Sequence, residues 1–107
     1  MTMSKRDKLS EQAIAAFLAG HPGWAREGEA LAKTFSFPDY PAGLAFAVRV
    51  GFAAEARDHH PELHVGYRKV KASWSTHDAG GLTALDAELA ERCDQIHAGG
   101  EPAAKAG

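Results

Sequence analysis

Apolar residues recur at helical spacing in three stretches of the chain and alternate with polar ones in the stretches between. Leu9-Ser10-Glu11 reads as a helix start, and Ala13, Ile14, Phe17 and Leu18 form one stripe until His21-Pro22-Gly23 stops it. Trp24 to Glu27 and Ala30 to Phe37 read as two extended segments joined by a turn at Gly28, a hairpin in which Leu31, Lys33, Phe35 and Phe37 share one face. Asp39 is a candidate N-cap for a long helix running to about Asp58, with Pro41 in its first turn. Between Ala42 and Ala54 that helix is apolar apart from Arg49, so it must be covered on more than one side.

After Pro61 the period changes to two. Val65, Tyr67, Lys69 and Lys71 alternate with Gly66, Arg68, Val70 and Ala72, and a second extended stretch, Ser73 to His77, leads into an Asp78-Ala79-Gly80-Gly81 loop. The alternation leaves open whether this is two strands or one bent strand. Thr83 caps a final helix with Asp86 as the acid three residues on, and Leu85, Leu89, Cys93 and Ile96 supply its stripe. The order helix, two strands, helix, two strands, helix predicts an α+β two-layer sandwich with a mostly antiparallel sheet. Residues 9–97 are expected to form the one domain, with 1–8 a flexible lead-in and 98–107 a disordered tail.

Composition narrows the class. A chain of 107 residues is long enough for one core and too short for two. A net charge of −2 gives no electrostatic reason to bind nucleic acid or an anionic membrane directly. No apolar run approaches a membrane span or a leader segment, so a cytoplasmic location is the default expectation. Cys93 is the only cysteine, and its helical setting reads as packing rather than as a nucleophile.

The candidate chemistry lies in the histidines. His59-His60 sit in EARDHHPEL, and His77 follows in STHDAGGLT. Imidazoles suit proton transfer near neutral pH. With 6 histidines in 107 residues, about 0.3 adjacent pairs arise by chance, so the pair counts only with its context. That context is Glu55 four residues before His59, Pro61 directly after the pair, Tyr67 six further on, His77 ten after that and Asp86 nine after His77. The series of acid, HHP, aromatic, His and Asp resembles the signature of the pterin-4a-carbinolamine dehydratases. The likeness extends through Gly23-Trp24, KTFSFPDYPAGLAFAVRVGFAAEARDHHPEL and THDAGGLTALDAELA, covering roughly residues 9–97.

The resemblance implies a four-stranded sheet covered on one face by three helices, assembled into homodimers or homotetramers. It implies dehydration of a 4a-hydroxytetrahydropterin to the quinonoid dihydropterin without a cofactor, in support of tetrahydrobiopterin recycling, with a possible linkage to an aromatic amino acid hydroxylase. By the same resemblance His59, His60 and His77 share the acid-base work and Glu55 and Asp86 orient them. Asp58, Pro61, Leu63, Thr76 and Asp78 are the expected substrate-binding positions. Tyr67 reads as core rather than ligand, and His21, His64 and His97 as bystanders in a turn, a strand start and a helix end. One departure stands out: many relatives carry an aromatic, commonly Trp, where this chain has Leu63.

Two other readings of the same residues exist. Three histidines and nearby carboxylates are the ingredients of a zinc site, but adjacent histidines diverge on a helix or strand, and no metal is expected. A catalytically silent member, acting by binding other proteins, would be expected to lose the histidines, and all three remain.

Overall fold

Ser10 caps the first helix by accepting a hydrogen bond from the Ala13 N–H, and α1 runs Glu11–Gly20 until His21 ends it. The computed structural model describes residues 4–99; of the expected disordered tail, residues 100–107 lie outside that span. Strands β1 (Ala25–Glu27) and β2 (Ala30–Ser36) form the expected hairpin, with Arg26 opposite Leu31. Helix α2 spans Tyr40–Ala56, its start fixed by Asp39 accepting from the Ala42 N–H and by proline in the first turn. Strands β3 (Glu62–Gly66) and β4 (Lys69–Trp74) follow, then a short 3-10 turn at His77–Ala79 and helix α3 over Ala84–His97. The sheet order is β1-β2-β4-β3, and every pairing is antiparallel. Three helices and one four-stranded sheet make the α+β arrangement expected from the pattern.

The covered face of the sheet carries Leu31, Phe35, Val70, Ala72 and Trp74, each at most 1% exposed. Against it pack Ile14 of α1, Phe46, Val50 and Ala54 of α2, and Leu85, Leu89, Cys93 and Ile96 of α3. Each large apolar side chain so buried contributes about 1.5–3 kcal/mol. Asp94 of α3 accepts from Trp24 Nε1 at 3.0 Å and from Lys33 Nζ at 2.7 Å, which pins the first hairpin to the last helix. Residues 4–8, read from sequence as a flexible lead-in, run beside the start of α3: Leu85 N–H donates to Lys5 O at 2.9 Å, and Lys8 bridges Thr83.

The second half of the sheet differs from the sequence reading in three respects. The alternation from Val65 to Lys71 is interrupted by a two-residue turn at Tyr67-Arg68, with Arg68 at φ 62°, so Val65 pairs with Val70 instead of continuing past it. Neither turn residue is the Asn or Gly that normally marks such a reversal, which is why the pattern did not reveal it. Tyr67, expected in the core, is 75% exposed at the tip of this hairpin. The strand expected over Ser73 to His77 is instead β4, ending at Trp74, after which Ala79 N–H closes on Thr76 O and Gly80 N–H on His77 O. Helix α2 also stops two residues before the expected Asp58.

Candidate active site

The early end of α2 is what places His59. Asp58 N–H donates to Glu55 O and His59 N–H to Ala54 O, both at 3.1 Å, while Asp58 takes φ 49°. This is a Schellman closure, with aspartate in the left-handed position usually given to glycine. The chain reverses there, and His59 turns back beneath the sheet, 8% exposed, its ring stacked on Trp74 with centroids 6.0 Å apart and planes 18° from parallel. Proline at position 61 then holds His60 out of helical conformation and leads into β3.

The other half of the site comes from the end of β4. Glu62 pairs with Ser73, and continuing that register by three residues brings His59 opposite Thr76, where Nε2 and Oγ1 are 3.4 Å apart. Asp86, in the first turn of α3 and 0% exposed, closes the cluster: its Oδ1 lies 2.6 Å from His59 Nε2. Its Oδ2 accepts from Thr76 Oγ1 at 2.7 Å and from the Thr83 N–H at 2.9 Å. The Thr83 hydroxyl stands 3.0 Å from Thr76 Oγ1 and 3.3 Å from Asp86 Oδ2. Each threonine has one hydroxyl proton. Thr76 gives its own to Asp86, and Thr83 can supply the next link.

A buried carboxylate is tolerable only when its oxygens are satisfied, and here both are. Among the described residues no buried side-chain nitrogen or oxygen lacks a partner. His59 Nε2 is committed to Asp86 and Nδ1 has no hydrogen-bond partner there, so Nδ1 is the edge of the ring that solvent reaches. The arrangement fixes the tautomer and orientation of one imidazole and leaves one nitrogen available for proton transfer.

The remaining expected residues are spread around this pair. His60 is exposed and bound through Nε2 to Glu55 Oε1 at 2.8 Å; no hydrogen bond joins it to His59, His77 or Asp86 among the described residues. His77 and Asp78 are exposed in the 3-10 turn, and Asp58 is exposed at the helix end. A cavity of about 530 Å³ opens on the uncovered face of the sheet at this end, walled by Glu62, His64, Ser73, Ser75, Thr76 and His77 among others. A larger groove of about 730 Å³ runs between α2 and α3 past Arg49, Phe52 and Arg92 and contains none of the expected site residues; the smaller cavity is lined by two of them, Thr76 and His77, while His59, His60 and Asp86 lie outside its lining. Leu63, expected in the pocket wall, is half-buried opposite Ala72 on the helix-covered face and packs against the core. His64, expected to be a bystander, faces the cavity in its place because it pairs with Lys71 on the uncovered face. In the sequence Thr83 reads only as a cap; its hold on Asp86 has no signature beyond the capping-box spacing. Cys93 is buried beneath Trp74 Nε1 at 3.3 Å, and burial pushes its thiol up to about 12, which leaves it no thiolate at neutral pH. No three His, Cys, Asp or Glu among the described residues are grouped to hold a metal ion, and no helix among them is long and apolar enough to cross a membrane.

Residues 7–96 match the sequence profile of the family described as pterin 4 alpha carbinolamine dehydratase. A protein of Roseiflexus sp. (strain RS-1), named "Putative pterin-4-alpha-carbinolamine dehydratase", is 46% identical over 89 residues, which are 83% of this chain and 96% of the relative. A Bradyrhizobium sp. (strain ORS 278) protein of the same name is 47% identical over 94 residues, 86% of this chain and 94% of its own. Among solved structures, a transcriptional coactivator/pterin dehydratase from Brucella melitensis superposes with a TM-score of 0.80 at 30% identity, covering 85% of this chain and 99% of that one. A pterin dehydratase-like protein identified as a RuBisCO assembly factor in the alpha-carboxysome shares the fold, with a TM-score of 0.61 at 24% identity over 72% of this chain and 92% of that one. The chain belongs to the pterin-4-alpha-carbinolamine dehydratase family.

Proposed function

We propose that the protein dehydrates a 4a-hydroxytetrahydropterin by histidine acid-base catalysis, and the observation that carries this reading is the buried His59–Asp86 pair. In the reaction the bond from C4a to its hydroxyl oxygen breaks. A proton delivered to that oxygen lets it leave as water, and loss of the N5 proton leaves the electron pair that forms the C4a=N5 bond of the quinonoid product. One group must donate and another accept, and fixed imidazoles supply each at neutral pH, each such assistance being worth about 10²–10⁴ in rate. His59 is held rigid by Asp86, while His60 on Glu55 and His77 beside the cavity are the solvent-reached partners. An aromatic amino acid hydroxylase, which releases this class of carbinolamine, is the proposed source of substrate, and the cytoplasm the proposed setting.

The proposal extends to assembly. Tyr40, Leu44, Val48 and Phe52 recur every four residues along α2 and are 44%, 41%, 58% and 75% exposed, an apolar stripe that the chain's own sheet does not cover. A second copy is its proposed cover, giving a homodimer or homotetramer. A purely protein-binding role is the less favoured reading, because it gives no reason to bury a carboxyl group beside an imidazole and satisfy it with Thr76 and Thr83.

The decisive experiment generates the carbinolamine in place and follows its dehydration by purified protein with no metal or organic cofactor added. His60→Ala and His77→Ala should each lower the catalysed rate by roughly 10² with the fold intact, since both side chains are exposed. Near-normal rates in both variants would move the chemistry elsewhere, and activity abolished by a chelator would replace this mechanism with a metal-dependent one.

A further inference from the structure

Residues 4–9 touch both elements that carry the buried pair. Asp7 N–H donates to Ser4 O at 3.0 Å and Arg6 N–H to Ser4 Oγ at 3.1 Å, forming a turn that presents the Arg6 side chain. Arg6 Nη2 then donates to Arg57 O at 2.8 Å and lies 3.4 Å from Asp58 O, the last two carbonyls before His59. On its other side the segment is tied to the start of α3, through Leu9 N–H to Leu82 O at 2.7 Å and Leu85 N–H to Lys5 O at 2.9 Å. Glu88, two residues after Asp86, pairs with both Lys5 and Arg57.

From this geometry we propose that the amino-terminal segment is a clamp, and that Arg6 is a positioning residue that holds the His59 loop against the helix start carrying Asp86. The loop needs such a hold. Asp58 adopts a left-handed conformation that non-glycine residues disfavour, and the carbonyls at the C-terminal end of α2 have no helical partner, so a guanidinium placed on them satisfies both the acceptors and their negative end of the helix dipole. Nη2 carries two N–H bonds, so this one nitrogen bridges the two adjacent carbonyls. Misplacement of a catalytic group by about 1 Å is enough to cost up to 10² in rate, so a clamp this close to His59 acts on turnover without touching substrate.

The kinetic arm of the test rests on the proposed dehydratase activity; the spectroscopic arm does not. Arg6→Ala should lower kcat for carbinolamine dehydration about tenfold with KM within about twofold, and Arg6→Lys, which keeps the charge and N–H donors on a shorter side chain, should recover part of the loss. The His59 Nε2 proton, followed by nitrogen-edited NMR in the full chain well below its unfolding midpoint, should exchange with solvent about tenfold faster in Arg6→Ala than in wild type as the bond to Asp86 loosens. An Arg6→Ala variant that stays folded and leaves this exchange unchanged overturns the clamp, whatever its kcat. A wild-type protein with no turnover, whose His59 proton still responds to Arg6, would instead retire the proposed reaction and leave the clamp standing.

Discussion

His59 and Asp86 are 27 residues apart in the chain and 2.6 Å apart in the fold, Nε2 to Oδ1. The second carboxylate oxygen is held by Thr76 and Thr83, so the aspartate is fixed from one side by the end of β4 and from the other by the cap of α3. Stability and orientation therefore meet in one side chain, and substitutions there should separate them.

Asp86→Ala leaves Thr76, Thr83 and His59 facing an empty buried site, and unfolding free energy should fall by about 3–5 kcal/mol, as for other broken buried pairs. Asp86→Asn keeps the shape and most hydrogen-bonding capacity, so it should cost less stability while still lowering kcat by roughly 10² or more, because a neutral amide no longer supports a protonated imidazole. Denaturant melts and steady-state rates on the two variants check this. Equal effects of both on stability would contradict it.

Leu63 tests the placement of the cavity. Its register opposite Ala72 turns it toward the helices, so Leu63→Trp should overpack the core, lower stability by about 1–3 kcal/mol and leave KM for the pterin unchanged. A lower KM with an unaltered thermal midpoint would put position 63 back in the substrate pocket, where an added aromatic contact is worth about 0.5–1.5 kcal/mol.

The α2 stripe makes a prediction about mass. Phe52→Glu or Val48→Glu places a charge among residues that a second copy is proposed to cover, and sedimentation should then show monomers at micromolar concentrations where the parent protein is an oligomer. Both side chains are exposed in the single chain, so the fold itself should survive. A parent protein that already sediments as a monomer defeats the assembly proposal.

Cys93 gives the pH dependence its sign. Its thiol is raised in the folded chain from the usual 9 to about 12, so the unfolded chain loses its proton first as pH rises. Its contribution to stability is complete below pH 9 and is progressively lost between there and 12, the loss reaching about 3 kcal/mol by pH 11 at 1.36 kcal/mol per unit. Comparing wild type with Cys93→Ala at pH 7 and pH 10.5 isolates this part from the lysines and tyrosines. A difference between the two proteins that stays constant with pH would rule it out.

Much of this was determined by residue order alone. Caps at Ser10, Asp39 and Thr83, the Gly28 hairpin and the Leu85, Leu89, Cys93, Ile96 stripe act within a few residues of one another, so local chemistry specified them and the fold class with them. The histidines could be singled out because their spacing is a chain property. What the chain could not reveal was which partners they meet. The turn at Tyr67-Arg68 carries no glycine, and it alone sets the register that turns Leu63 inward, faces His64 outward and, continued past Glu62, brings His59 to Thr76. Arg6 is a similar case, an ordinary charged residue in a polar lead-in that matters because a turn at Ser4 aims it at carbonyls 51 and 52 residues away. Periodicity reads contacts within one element; contacts between elements depend on register, on where a helix stops and on long-range packing, and only the tertiary structure decides those.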